Sequence, residues 1–168
     1  VRSLEINPAD IDYVVFYEKP FVRFERLLET YFAYAPVGFS SFRHSMPRWI
    51  KDKLFQKSKI LKNLGEISNS VNWQDKLRFS DHHLSHAASA FYPSPFEEAA
   101  ILTVDGVGEW ATTTISLGRN NSIELLSELH FPHSLGLLYS TITAFLGFKV
   151  NSGEYKVMGL APYGQALY

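Results

Sequence analysis

An apolar run that ends in an aspartate and two glycines occupies residues 99–108, which read AAILTVDGVG. Its first six residues predict a buried β-strand, and Gly106 and Gly108 end that strand. Asp105 is therefore expected at the carboxyl edge of a sheet, where the ligand sites of open α/β folds lie. An Asp beside Gly is also common as the first residue of a simple turn. The stretch predicts an α/β fold and makes Asp105 a candidate functional residue.

Strand and helix patterns follow one another around this stretch, as expected for an α/β chain. Glycine and asparagine residues separate these patterns, and GRNN at residues 118–121 is predicted to be the turn between two strands. Besides residues 100–105, strands are predicted over residues 11–17, 111–117 and 123–129, and helices over residues 21–34, 82–91 and 132–145.

Three of the six histidines fall within residues 82–86, which read HHLSH. On a helix, His82 and His86 leave the same face one turn apart, so both imidazoles could hold one metal ion. With Asp105 they make a set of nitrogen and oxygen donors that suits Fe(II), Zn(II) or Mn(II) and leaves coordination positions open. The alternative is that these histidines only lie at the polar surface of a helix end. A protease of the H-E-x-x-H type is disfavoured, because His83 occupies the position of its Glu.

The composition is that of a folded domain with no strong global field. The 168 residues are 46% hydrophobic and 15% aromatic, which suffices for the core of a single domain. A formal net charge of −1 does not favour a nucleic-acid partner. The lack of cysteine excludes disulfides, thiolate metal sites and a cysteine nucleophile. We find neither a signal peptide nor an apolar run of the roughly 18 residues that a membrane helix needs, so a cytoplasmic protein without a membrane partner is expected.

Four motifs stand in a fixed order and together are specific. In this order they resemble the O-carbamoyltransferase family of nodulation and antibiotic-tailoring enzymes. The motifs are DHHLSHAASAFY at residues 81–92, TVDGVGE at 103–109, SLGLLY at 134–139 and SGEYKVMGLAPYG at 152–164.

The resemblance implies a fragment of an actin-like, Hsp70-like ATPase domain of the ribonuclease H-like class, with a mixed sheet flanked by helices. We expect residues 1–168 to be part of that domain, truncated at both ends, without the adenylating domain of the family and inactive alone. In the family, carbamoyl phosphate and ATP give carbamoyl-adenylate, and the carbamoyl group then passes to the hydroxyl group of a small molecule. Carbamoyl phosphate, ATP and a small alcohol are therefore the expected partners.

The resemblance also assigns residues to roles. His82, His86 and Asp105 match the metal ligands of the family, which implies iron as the ion. His83 is a candidate for binding or positioning substrate, the alternative being a helix-surface histidine without such a task. The residues that match the nucleotide-facing loop, where Glu154 would take ribose hydroxyls and Lys156 a phosphate oxygen unless they form surface ion pairs, are Gly153, Glu154, Lys156 and Gly159.

Two further functions remain open from the residues. The threonylcarbamoyl-tRNA branch of the same superfamily shares the H-x-x-x-H pattern, although the near-neutral charge favours the small-molecule branch. A noncatalytic module with a merely structural or metal-binding histidine cluster belongs to a different class. The sequence predicts neither the acceptor nor the oligomeric state.

Overall fold

The computed structural model describes residues 6–51 and 55–167. Residues 1–5, 52–54 and 168, which belong to the domain predicted over the whole chain, lie outside the described residues. The chain divides into two compact units, residues 1–85 and residues 86–168. The division falls inside one continuous helix of residues 82–91.

The first unit combines short parallel strands with helices. Strand β1 (Val14–Phe16) pairs in parallel with strand β2 (Leu77–Phe79), with Val14 opposite Leu77. The strand predicted over residues 11–17 is thus shorter than expected, and β2 was not predicted. The helix predicted over residues 21–34 is confirmed as α1. The helices of this unit are α1 (Pro20–Ala33), α2 (Phe39–Trp49), α3 (Gln56–Ile67) and α4 (Trp73–Lys76).

Buried charges mark the start of helix α1. Glu18 is only 1% exposed, and its carboxylate accepts a hydrogen bond from the Arg23 guanidinium at 2.5 Å. Burial lowers the pKa of the Arg26 guanidinium from its ordinary value, and the positive charge of Arg23 lowers it further. The ion pair with Arg23 offsets part of the free-energy cost of burying the Glu18 carboxylate.

The second unit is built on an antiparallel sheet in the order β3–β4–β5. All three strands predicted for this region are confirmed, and the turn is tighter than expected because β4 and β5 extend until Arg119 pairs with Ser122. Asn120, in the two-residue turn, has a φ of +50°, which asparagine tolerates better than most residues. The elements are α5 (His82–Phe91), of which residues 86–91 belong to this unit, β3 (Glu98–Val104), β4 (Ala111–Arg119), β5 (Ser122–His130), α6 (Leu135–Phe145) and α7 (Glu154–Leu160).

Helix α5 packs on this sheet through a small core of Ala87, Phe91 and Ile101. The Phe91 ring lies directly over Gly118 of β4, so closely that a Cβ at Gly118 would be 2.7 Å from three ring atoms. A side chain at this position would force the Phe91 ring, the helix or the strand to shift. Gly118 therefore sets how near α5 approaches the sheet.

The prediction that the strand at residues 99–104 is buried was wrong for one of its faces. Ile101 and Thr103 are each 7% exposed, but Leu102 and Val104 are 67% and 50% exposed. Successive side chains of a strand point to opposite faces, and α5 packs against only one of them. Helices with parallel and antiparallel sheets make the structure mixed α/β. Across the described ranges, no helix combines the length and apolar character needed to cross a membrane.

Candidate metal centre

The three predicted metal ligands lie together. One potential ligand atom each from His82, His86 and Asp105 lies within 4.8 Å of the other two. His82 and Asp105 are partly buried and His86 is exposed, so the cluster is open to solvent. Within residues 6–51 and 55–167, no other group of three or more such side chains is placed for a metal. The distances are those of donors that could close around a single ion.

Helix α5 aligns the two histidines on one face, because four residues make about one turn. Its first turn is fixed at Asp81, whose carbonyl accepts hydrogen bonds from both the amide and the hydroxyl of Ser85 at 2.9 Å. The Asp81 carboxylate forms an ion pair with Lys19 at 2.6 Å. The histidines thus sit on the first two turns of a helix whose start is bonded to its surroundings.

Asp105 is held by backbone groups on both sides. Its amide donates to the Thr112 carbonyl at 2.9 Å, which continues the β3–β4 pairing beyond the end of the strand. The Gly106 amide donates to Asp105 Oδ1 at 2.6 Å. One carboxylate oxygen is therefore oriented by the neighbouring peptide, and the carboxylate emerges at the carboxyl end of β3 as predicted.

The start of helix α6 contacts the backbone of Asp105 and Gly106. Ser134 caps this helix by accepting from the Leu137 amide at 3.0 Å, and its hydroxyl donates to the Gly106 carbonyl at 2.6 Å. A Cβ at Gly136 would lie 2.4 Å from the Asp105 carbonyl oxygen. The SLGLLY motif contains both residues, but contacts between distant backbones leave no local signal of their own.

His83 is buried, with 5% of its surface exposed. The alternative reading of His83 as a helix-surface histidine was therefore wrong. Its ring meets that of His82 edge-on, with the two ring centres 5.8 Å apart. A role of His83 in substrate binding stays a prediction.

The predicted nucleotide-facing loop is organised by Glu154. Its carboxylate accepts hydrogen bonds from the amides of Asn151 at 2.8 Å and Gly153 at 3.1 Å, and from the Ser140 hydroxyl at 3.4 Å. The Asn151 hydrogen bond, with the others, lowers the pKa of the Glu154 carboxyl below its ordinary value. The carboxylate oxygens of Glu154 thus accept hydrogen bonds that close its own loop.

The other three residues of that prediction divide between structure and surface. A Cβ at Gly153 would lie 2.7 Å from the Lys149 carbonyl oxygen, so glycine is needed for the loop to close. Lys156 is exposed, with its Nζ 5.9 Å from the centre of the Tyr155 ring. Gly159 faces open space. Of the four, Lys156 presents a charge to solvent that could meet an anion.

Comparison with known proteins identifies the family. Residues 1–167 match the model described as the carbamoyltransferase N-terminus. An uncharacterized protein of Synechocystis is 57% identical over 97% of this chain, and the alignment covers 27% of that protein. The nodulation proteins NolNO of Sinorhizobium fredii and NolO of Bradyrhizobium diazoefficiens are 46% and 40% identical over 53% and 50% of this chain, and 13% and 15% of their own lengths.

The chain thus spans about a quarter or less of these curated relatives. The family match, by contrast, extends over nearly every residue and includes the histidine helix and the strand that ends at Asp105. The chain therefore belongs to the carbamoyltransferase N-terminal domain family.

Proposed function

We propose that this chain is the metal-bearing part of an enzyme that transfers a carbamoyl group to the hydroxyl group of a small molecule. The observation that carries the proposal is the convergence of His82, His86 and Asp105 within 4.8 Å in a chain of the carbamoyltransferase N-terminal family. The carbamoyl group comes from carbamoyl phosphate and ATP by way of carbamoyl-adenylate. The acceptor oxygen bonds to the carbamoyl carbon, the bond from that carbon to the AMP oxygen breaks, and the acceptor proton passes to a base.

The three side chains fit a divalent metal ion. Two imidazole nitrogens and a carboxylate oxygen are borderline-hard donors that leave other coordination positions open, as in catalytic rather than structural sites. Iron(II) is the proposed ion, and zinc or manganese fit the same donors. When bound, the ion would supply positive charge that polarises a carbonyl or phosphoryl oxygen. The Gly106 amide orients the Asp105 carboxylate toward this task.

The wider architecture is proposed to be actin-like, with the described strands and helices forming part of an ATP-binding domain of a cytoplasmic enzyme. The mixed α/β structure and the family match support this. In the nucleotide loop, Gly153 and Glu154 shape the backbone, and the exposed ammonium of Lys156 is proposed to contact a phosphate oxygen. The loop thus offers one direct contact, and its glycine and carboxylate act by holding its form. The adenylating step is proposed to lie elsewhere in the enzyme, so the chain alone is inactive.

The small-molecule branch fits better than the tRNA branch. The net charge of −1 gives little attraction to a polyanion. Two relatives are named as nodulation proteins, which suits a biosynthetic transferase. Binding of the chain to tRNA at physiological salt would favour the other branch.

Metal binding is tested in the full enzyme that carries this chain, with Zn²⁺ titrated by calorimetry. His82→Ala and Asp105→Ala each remove a donor, and we expect each to weaken binding by at least tenfold. The matched control is His44→Ala, because His44 is an exposed histidine outside the metal cluster, with its Nδ1 2.9 Å from the Ser40 carbonyl oxygen of its own helix. Unchanged affinity in both site variants would refute the metal proposal.

Activity is tested in the full enzyme that carries this chain. With carbamoyl phosphate and ATP supplied, we expect carbamoyl-adenylate to accumulate in both His82→Ala and Asp105→Ala, while consumption of that adenylate by the acceptor falls. Carbamoylation that continues at the rate of the unaltered enzyme in both variants would end the assignment.

A further inference from the structure

We propose that Ser134, Gly136 and Thr112 form a brace that positions the Asp105 carboxylate toward the metal. This inference rests on the proposed function and deepens it, because it names residues that act on the site without contacting the ion. They are positioning residues, and all three belong to the second unit together with Asp105. The brace joins the end of β3, the start of β4 and the first turn of α6.

Gly136 brings the helix backbone against the peptide bond that follows Asp105. A Cβ at Gly136 would lie 2.4 Å from the Asp105 carbonyl oxygen, 2.5 Å from its carbonyl carbon and 2.6 Å from the Gly106 nitrogen. Three backbone atoms at such distances leave no flexible group that could give way. Any side chain at this position must displace either α6 or the peptide that aims the carboxylate.

Ser134 fixes the orientation of the same peptide and of the next one. Its hydroxyl lies 2.6 Å from the Gly106 carbonyl oxygen and 3.2 Å from the Asp105 carbonyl oxygen, and it also accepts the Leu137 amide. One side chain therefore ties the end of strand β3 to the first turn of helix α6. Loss of the hydroxyl would break the connection between the end of strand β3 and the first turn of helix α6.

Thr112 connects the third side of the brace. It is fully buried, its carbonyl accepts the Asp105 amide at 2.9 Å, and its hydroxyl donates to the His133 carbonyl at 2.6 Å. The residue thus bonds to Asp105 through its backbone and to the residue before Ser134 through its side chain. Both ends of the linkage are held from one point on β4.

The direction of the carboxylate follows from these contacts. Asp105 Oδ1 is bonded to the Gly106 amide at 2.6 Å, so rotation of the Asp105–Gly106 peptide carries the carboxylate with it. Groups that orient metal ligands typically change metal affinity by about 10–100-fold when they are replaced. The brace is expected to act with that magnitude, although none of its side chains supplies a ligand.

The test uses the full enzyme that carries this chain and Co²⁺, whose visible absorption reports both affinity and coordination geometry. We expect Ser134→Ala and Gly136→Ala to weaken Co²⁺ binding by about 10–100-fold and to alter the absorption spectrum at saturation. Ser134→Thr keeps the hydroxyl and should restore affinity to within threefold of the unaltered enzyme. The matched controls are Ser122→Ala, which removes a hydroxyl at the β4–β5 turn, and Gly65→Ala, where a Cβ meets nothing within 4 Å.

The possible results distinguish a failure of the brace proposal from a failure of the metal proposal. If Co²⁺ binding depends on His82, but Ser134→Ala and Gly136→Ala keep the affinity and spectrum of the unaltered enzyme, the brace is refuted and the proposed function stands. If the unaltered full enzyme shows no binding that His82→Ala removes, the metal proposal fails and the brace with it. Should Gly136→Ala fail to fold, the Ser134→Ala and Ser134→Thr pair decides, because rescue by threonine requires the hydroxyl.

Discussion

Replacing Gly118 by alanine tests how helix α5 is seated on the sheet. The new methyl group would lie 2.7 Å from three atoms of the Phe91 ring, well inside van der Waals contact. Phe91 is 4% exposed, and the contact is made by the side of the ring rather than by a flexible end. The ring, the helix or the strand must therefore shift.

The expected loss of stability combines two opposing effects. Overpacking of a filled core costs about 1–3 kcal/mol. Removing a glycine from the interior of a strand returns about 0.5–1 kcal/mol of backbone entropy. Taking the middle of each range, we expect Gly118→Ala to lower the free energy of unfolding of the second unit by about 1 kcal/mol.

Native-state hydrogen exchange measures this loss locally, since the two units need not unfold together. Amides of β3 and β4 should lose protection, whereas those of β1 and β2 serve as an internal reference. In combination with Phe91→Leu, the Gly118→Ala variant should lose less than the sum of the two single changes. Gly65→Ala is the control, because its methyl group meets nothing. The packing argument would be refuted if the free energy of exchange of the β3 and β4 amides changed by less than about 0.3 kcal/mol, which is the usual error of such comparisons.

Two further changes test other contacts. Hydrogen bonds lower the pKa of the Glu154 carboxyl, so its stabilising effect is complete above the ordinary carboxyl pKa and is lost as the pH falls through the lowered value. The Asn151 and Gly153 amides should therefore lose exchange protection in acid. Glu154→Gln should remove this pH dependence. In the first unit, Arg23→Met leaves the buried Glu18 carboxylate without this ion pair and should cost about 3 kcal/mol in urea unfolding, whereas a loss below about 0.5 kcal/mol would show that the pair does not stabilise the unit.

Local periodicity was sufficient for most of the elements. Strands β3 to β5 and helices α1 and α5 were predictable because each has a long apolar pattern bounded by turn residues. Strand β2 was missed because three residues are too few to show alternation, and only its pairing with β1 defines it. The two faces of β3 could not be distinguished, since an apolar side chain does not reveal whether another element covers it.

Some residues of the candidate site could be predicted from the sequence, and others could not. His82 and His86 share a face by helical geometry alone, and Asp105 stands where a strand pattern stops, so their proximity could be anticipated. Ser134 and Gly136 act on backbone atoms almost thirty residues away, with the Ser134 contact to Asp105 spanning 29 positions. No residue pattern encodes such contacts.

The outer edge of strand β3 has a practical consequence for solution work. Within the described sheet, β3 has a hydrogen-bonded neighbour on one side only, and its Leu102 and Val104 side chains are exposed. Unpaired strand edges with apolar side chains are templates for self-association. Concentrated samples of this polypeptide should accordingly tend to aggregate through β3, and Leu102→Lys should reduce that aggregation.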